Sequence, residues 1–234
     1  MRLLDLFCGA GGAAVGYHRA GFEVVGVDHV AQKNYPFPII VMDALEAMDR
    51  LIAGEGLVAS DGRTYYLSDF DVVHASPPCQ AFTALRTAWN GKRHPDLLTP
   101  TLRRLCSLDG TPWVVENVPG APLQPDVMLC GTMFGLGIGE AELRRHRLFQ
   151  HQNVPLMLTP SCAHGTRPIT IGVYGQHGRD RRRGVQTFFS VADGRQAMGI
   201  DWMTGDELSQ AIPPAYTFYI GTRLMEYLLA GKGD

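Results

Sequence analysis

The chain has 234 residues, 45% of them hydrophobic, with a formal net charge of −2. That size supports one substantial core, either one α/β domain or one domain with a small appendage, and excludes collagen-like and disordered classes. No apolar run approaches the roughly 18 residues that a membrane span requires, so a soluble, cytoplasmic protein is expected. The five cysteines (Cys8, Cys79, Cys106, Cys130, Cys162) are odd in number, widely spaced and free of any CxxC pair. Reduced thiols are expected, with neither a disulfide framework nor a metal site.

In the first half, short β-branched apolar runs alternate with helical patterns, the sign of a mostly parallel sheet with crossover helices. "RLLDLF" predicts a strand over 2–7, followed by a helix over 11–20 and a strand over 22–27. Between the first strand and helix, Gly9, Gly11 and Ala14 match G-x-G-x-x-G/A, and Asp28 stands at the end of the second strand. Small residues there let backbone amides approach a ligand at the helix N-terminus, and the acid can accept both hydroxyls of a ribose. This pattern alone fits nicotinamide and adenosylmethionine enzymes equally. A third strand is expected over 38–42, then a helix over 44–53 preceded by Asp43. Asp43 could meet an adenine amino group or simply cap its helix.

Residues 57–67 read as a hairpin around Asp61-Gly62. A strand over 70–75 leads into "SPPCQAF". Two consecutive prolines fix φ twice and remove two backbone donors, so this is a stiff loop that aims Cys79. Residues 80–95, with Arg86, Lys92 and Arg93, have the composition of a mobile lid. A helix over 96–107 and strands over 112–117 and 127–130 follow, and "RRHRLF" closes the regular region. Residues 151–187 are rich in Pro, Gly, His and Arg without helical period, a candidate basic insert. Helices resume over 190–198, 205–211 and 213–230. Residues 143–195 hold nine Arg and no Lys against two acids, a charge of +7, while the remainder holds 12 basic residues against 21 acids, −9. A basic stripe on an acidic body is the footprint of a protein that grips a polyanion at one face.

Taken in order, "DLFCGAGG", "SPPCQAF", "ENVPG" (116–120) and "RRHRLF" resemble four motifs of the cytosine-C5 DNA methyltransferases. The resemblance spans residues 2–150 and resumes more faintly in "SVADGRQAMGI" and "LSQAIPP". It implies a Rossmann-like class I methyltransferase fold, with residues 1–150 and 188–234 as the catalytic domain and 151–187 as a very small target-recognition insert. It also implies S-adenosyl-L-methionine as donor, double-stranded DNA as substrate, and a monomer acting in a bacterial or phage-infected cell. Cys79 would add to C6 of a flipped-out cytosine. Glu116 would meet N3 with its pKa raised by an apolar pocket, Asn117 would hold the loop, and Arg147 would meet O2. A nearby positive field would help the Cys79 thiol ionise, with Arg145 and Arg147 as its sources. Phe7, Gly9, Gly11, Gly12, Asp28, His29, Asp43, Ala44, Pro77, Gln210 and Ala211 are the expected donor-binding residues. Gln80, Thr83, Arg86, Arg179, Arg181, Arg182 and Arg183 are the expected DNA contacts.

Three features depart from the family pattern. Leu143 stands where the arginine motif usually opens with Gln, and Gln210 where the last motif usually has Asn, close to the methyl-bearing end of the donor. The longer Gln210 leaves open a donor with a modified methyl, such as a carboxymethyl group. The insert is under 40 residues, so few side chains can reach base edges, and a site of roughly two to four base pairs held mainly by phosphate contacts is expected. One branch of the family methylates tRNA and shares "PPCQ" followed by Phe-Thr, here Phe82-Thr83, so an RNA substrate stays open. A non-catalytic relative would have no need of Cys79, Glu116 and Arg147 together, and a nicotinamide enzyme leaves the diproline loop unexplained.

Overall fold

The computed structural model describes residues 1–82, 94–154, 158–174 and 189–231. In chain order its elements are β1 (Arg2–Leu6), α1 (Gly12–Arg19), β2 (Glu23–Asp28), β3 (Ile39–Val41), α2 (Ala44–Ile52), β4 (Leu57–Val58), β5 (Thr64–Tyr65), β6 (Val72–Ala75), α3 (Leu98–Leu105), β7 (Trp113–Asn117), β8 (Val127–Leu129), β9 (Gly137–Ile138), β10 (Ala141–Leu143), β11 (Arg147–Gln152), β12 (Ile169–Ile171), α4 (Val191–Met198), α5 (Gly205–Gln210) and α6 (Pro214–Ala230). Seven strands form the main sheet in the order β3-β2-β1-β6-β7-β11-β8. β11 runs antiparallel to both of its neighbours, and β3, β2, β1, β6 and β7 are mutually parallel. The runs "LLDL", "VVHA" and "WVVEN" are continuous rather than alternating because β1, β6 and β7 are covered on both faces.

Successive residues of each strand divide between two cores. Leu4, Leu6, Val73 and Val115 pack with Met48 and Leu51 of α2 and Leu98 and Leu105 of α3. Leu3, Val72, Val114 and Phe149 pack with Tyr17 of α1 and Tyr216, Ile220 and Leu224 of α6. A third cluster joins β10, β12, α4 and α5 through Leu143, Ile171, Met198 and Leu208. It lies under a three-stranded sheet, β12-β10-β9. This is a doubly wound, Rossmann-like α/β architecture whose sheet order reverses between β1 and β6, the place where such sheets bind ligands.

Every expected strand of the first half and every expected helix is present within one or two residues. The hairpin over 57–67 is present as β4 and β5. Four strands escaped the pattern. β9, β10 and β12 have two or three residues each, too few to show a period, and β11, "RLFQHQ", is polar and only partly buried. β11 also crosses the boundary expected at residue 150, and β12, inside the expected insert, pairs in parallel with β10. Among the described residues no helix is long and apolar enough to cross a membrane.

The contact between α1 and α6 demands a glycine. A Cβ at Gly16 would lie 2.0 Å from Thr217 Oγ1 and 2.3 Å from the Pro214 carbonyl oxygen. Gly16→Ala is therefore expected to destabilise the fold by about 1–3 kcal/mol through overpacking. Urea denaturation checks this, and an unchanged midpoint would show that the two helices can separate without loss.

Candidate active site

The loops that follow β1, β2, β6 and β7 converge with the segment 203–212 around a cavity of about 280 Å³. Directly after β1 the chain turns through left-handed backbone at Phe7 (φ 59°), Gly9 (φ 48°) and Gly11 (φ 86°). Such a conformation is unfavourable for a bulky residue like Phe7, which lines the cavity, and strain of this kind concentrates at functional sites. A Cβ at Gly9 would meet nothing within 4 Å, so the turn leaves open space beside the cavity, whereas one at Gly12 would lie 2.5 Å from the Ile212 carbonyl. Gly12 thus sets how closely α1 approaches the 211–212 segment. Asp28 locks the turn: Gly9 N–H donates to its Oδ2 at 3.0 Å and Val30 N–H to its Oδ1 at 3.1 Å. His29 Nδ1 lies 3.1 Å from the same carboxylate, with its ring largely exposed at the rim.

Asp43 and Ala44 do not line the cavity. Asp43 accepts N–H bonds from Leu45 and Glu46 at 2.9 and 3.1 Å, so its observed work is to cap α2. Gly11 is likewise outside the lining and serves as the N-cap of α1.

The diproline loop is held at its start by two contacts. Asn117, at the end of β7, donates from Nδ2 to the Pro77 carbonyl at 2.9 Å. His74 Nε2 lies 2.7 Å from Ser76 Oγ, and its Nδ1 is 3.0 Å from Tyr17 Oη. Burial lowers this imidazole to about 3, so it stays neutral while it braces the loop. Cys79, Gln80, Pro77, Glu116 and Arg147 all line the cavity. Antiparallel pairing of β11 with β7 brings the last two together, and Arg147 Nε meets Glu116 Oε1 at 2.8 Å. Burial raises the Glu116 carboxyl above its ordinary value, outweighing the opposing guanidiniums of Arg147 and Arg145. Burial also raises the Cys79 thiol, with Arg147 lowering it, Glu116 raising it and Arg145 lowering it less. Both arginines do favour the thiolate, as expected, but they oppose a larger desolvation effect and the net shift is upward.

Arg145 has a second task besides its field on Cys79. Its guanidinium is buried and donates to three carbonyls: Ala211 from Nε at 3.0 Å and Nη2 at 2.6 Å, Ser209 at 2.8 Å and Val173 at 2.5 Å. It fastens the 209–211 segment, which carries the cavity-lining Gln210 and Ala211, to the strand region. Arg145 is a positioning residue. Thr83, Arg86, Arg179, Arg181, Arg182 and Arg183 lie outside the described residues.

Sequence reasoning missed Asp5. It lines the cavity, is fully buried, and neither carboxylate oxygen has a hydrogen-bond partner among the described residues. Desolvation, then the charge of Asp28, raises its pKa well above the ordinary value. The signal was present as an acid in the middle of the apolar run "RLLDLF". Met203, Glu207 and Ser209 also line the cavity and were not singled out.

A cavity at the switch point of a doubly wound sheet, lined by Cys79, Glu116 and Arg147 together with the glycine turn, has the form and position of a ligand site. The family model for C-5 cytosine-specific DNA methylase matches residues 1–125, and the chain belongs to that family. It is 29% identical over 127 residues to the Type II methyltransferase M.AgeI of Thalassovita gelatinovora, covering 51% of this chain and 28% of that protein. It is 33% identical over 125 residues to the Type II methyltransferase M.XorII of Xanthomonas oryzae, covering 50% of this chain and again 28% of the relative. The matched region thus spans well under half the length of these two relatives. In fold, the chain is similar to a DNA modification methyltransferase encoded within a prophage (E. coli), with TM-score 0.61 and 14% identity over 98% of this chain and 99% of that one.

The electrostatics predict how Cys79 reacts. Its alkylation by iodoacetamide, followed by peptide mass spectrometry, should titrate with a midpoint above the ~8.5 of a free thiol. Because the ionised Glu116 carboxylate raises the thiol, Glu116→Gln should move that midpoint down. A midpoint below 8.5 in the unaltered protein, or an upward move in the variant, would contradict the geometry.

Proposed function

We propose that the chain is a DNA (cytosine-5)-methyltransferase that uses S-adenosyl-L-methionine. The observation that carries this reading is that Cys79, Glu116 and Arg147 line the same cavity as the Gly9 turn and Asp28. The residues fit the donor. Asp5 offers an unpartnered buried carboxyl suited to an ammonium group, the Gly9 turn leaves open space for a nucleoside, and Asp28 stands at the end of β2 for its ribose. Bound there, the donor supplies an electrophilic methyl group.

The chain's own residues do the rest. The thiolate of Cys79 adds to C6 of cytosine and makes C5 nucleophilic. Glu116, its proton held to higher pH by burial, hydrogen-bonds N3 and offsets the charge that addition places on the ring. Arg147, fixed by its bond to the His146 carbonyl at 2.9 Å and by Glu116, faces the cytosine O2. Asn117 keeps the diproline loop in place. After methyl transfer, loss of the C5 proton to solvent and elimination of the Cys79 thiolate restore aromaticity and free the enzyme. Such a ring cannot be reached inside a stacked duplex, so the target base is flipped out.

Residues 151–187 act as a short target-recognition insert, and Gln80, Thr83 and Arg86 contact DNA. Arg179, Arg181, Arg182 and Arg183 hold phosphates, and the recognised site is two to four base pairs. Replacing these four arginines by Ala is expected to lower the slope of log K against log salt by about 3 to 4, near 0.9 per phosphate lost. An unchanged slope would remove them from the interface.

Nucleoside mass spectrometry after incubation with donor tests the activity. The expected product is 5-methylcytosine in duplex DNA, absent with Cys79→Ala and reduced roughly 10²–10⁴-fold with Glu116→Gln. Parallel incubations with tRNA, and with a carboxymethyl donor, address the neighbouring chemistries, the second because Gln210 lines the cavity. Product in tRNA alone, or no product with any donor, would overturn the reading.

A further inference from the structure

Away from this cavity the fold assembles a second group of reactive side chains. Cys130, His146, Cys162 and His164 present one ligand-type atom each, all within 4.8 Å of one another. They come from three places: Cys130 follows β8, His146 lies between Arg145 and Arg147, and Cys162 and His164 sit on the segment that leads to β12. Cys130 Sγ is 3.3 Å from His164 Nε2, and Cys162 Sγ is 3.6 Å from His146 Nε2. In a tetrahedral site with Zn–S of about 2.3 Å and Zn–N of about 2.0–2.1 Å, sulfur and nitrogen ligands stand about 3.5 Å apart. Both pairs are therefore already at the edge length of such a tetrahedron. The two imidazoles meet edge to face, with ring centroids 4.9 Å apart and planes at 86°, so neither ring stacks on the other.

The surroundings are organised as well. Thr132 Oγ1 lies 3.2 Å from Cys130 Sγ and accepts the Ala163 N–H at 3.2 Å, linking two ligand segments beside the cluster. Glu142, held by Arg144, accepts N–H bonds from Gly165 at 3.0 Å and Arg167 at 3.4 Å, which pins the turn just after His164 to β10. Two thiols and two imidazoles are the donor set of closed structural zinc sites, and these distances leave no open position for a substrate.

We propose that Cys130, His146, Cys162 and His164 form a structural Zn²⁺ site that clamps the 162–164 segment onto the arginine motif. Binding releases the two thiol protons to solvent and leaves two thiolates and two neutral imidazoles on the metal. This assignment replaces the expectation of no metal site, which rested on the lack of a CxxC pair. The ligands are gathered by strand topology, at spacings of 16, 16 and 2 residues that no short motif describes.

The test is metal content, independent of any transferase activity. Protein purified without chelators or metal-affinity steps should carry about one zinc per chain by elemental mass spectrometry. Exchange into cobalt should give the visible bands of a tetrahedral ion and an ultraviolet thiolate-to-cobalt band, a readout that needs no variant. Cys162→Ser combined with His164→Ala should lose the metal, while Cys106→Ser, at an exposed thiol outside the cluster, should keep it. Three results would overturn the assignment: no zinc together with no tetrahedral cobalt spectrum, full zinc retention in the double variant, or a Cys130–Cys162 disulfide in the purified chain.

Discussion

The ion pair between Glu116 and Arg147 is the contact on which the site depends. It forms because β11 runs antiparallel against the end of β7, and it is almost completely buried. A buried pair of this kind adds little net stability, since desolvation consumes most of the attraction, but removing one partner leaves a buried charge and costs about 3–5 kcal/mol. Its contribution is placement. The carboxyl and the guanidinium are fixed at the mouth of the cysteine loop, and Asn117, one residue beyond Glu116, holds that loop through the Pro77 carbonyl. One strand end thus positions the acid, the arginine and the nucleophile together.

The two arginines of "RRHRLF" that were expected to work together have separate tasks. Arg145 has positive φ (29°), a break in the extended backbone just before β11 begins, and this sends its side chain toward carbonyls 173, 209 and 211. Arg147, inside the strand, faces the cavity. The Arg145 carbonyl itself accepts from Tyr216 Oη at 2.8 Å, so α6 is tied to the same point. A zinc at His146 would fix this junction from a third side. The short arginine motif then serves as the hub between the main sheet, the C-terminal helices and the small sheet.

Much of this was legible in the sequence for a physical reason. Strands buried on both faces must be written as continuous apolar runs, and stiff or left-handed turns must be written in Pro and Gly, so β1, β6, β7, the glycine turn and the diproline loop were all readable. Identity alone could not say what a polar side chain meets. Asp43 carries the residue type of a ligand contact, and in the structure one of its carboxylate oxygens caps its own helix. Asp5 was hidden by its apolar neighbours. The net effect on Cys79 depends on whether desolvation or the guanidiniums win, a competition set by depth that composition does not encode. The four clustered Cys and His side chains come from three separate stretches and meet only because the end of β8, the start of β11 and the approach to β12 lie near one another.

The central claim is that the sulfur of Cys79 bonds covalently to a cytosine ring. A duplex carrying 5-fluorocytosine tests it most directly, because fluorine at C5 prevents the elimination that would release the enzyme. With donor present, intact-mass analysis should find one species equal to protein, oligonucleotide and a methyl group, with the link mapped to Cys79 and lost in Cys79→Ala. A site that binds and methylates DNA without trapping, or an adduct that persists in Cys79→Ala, would contradict the account.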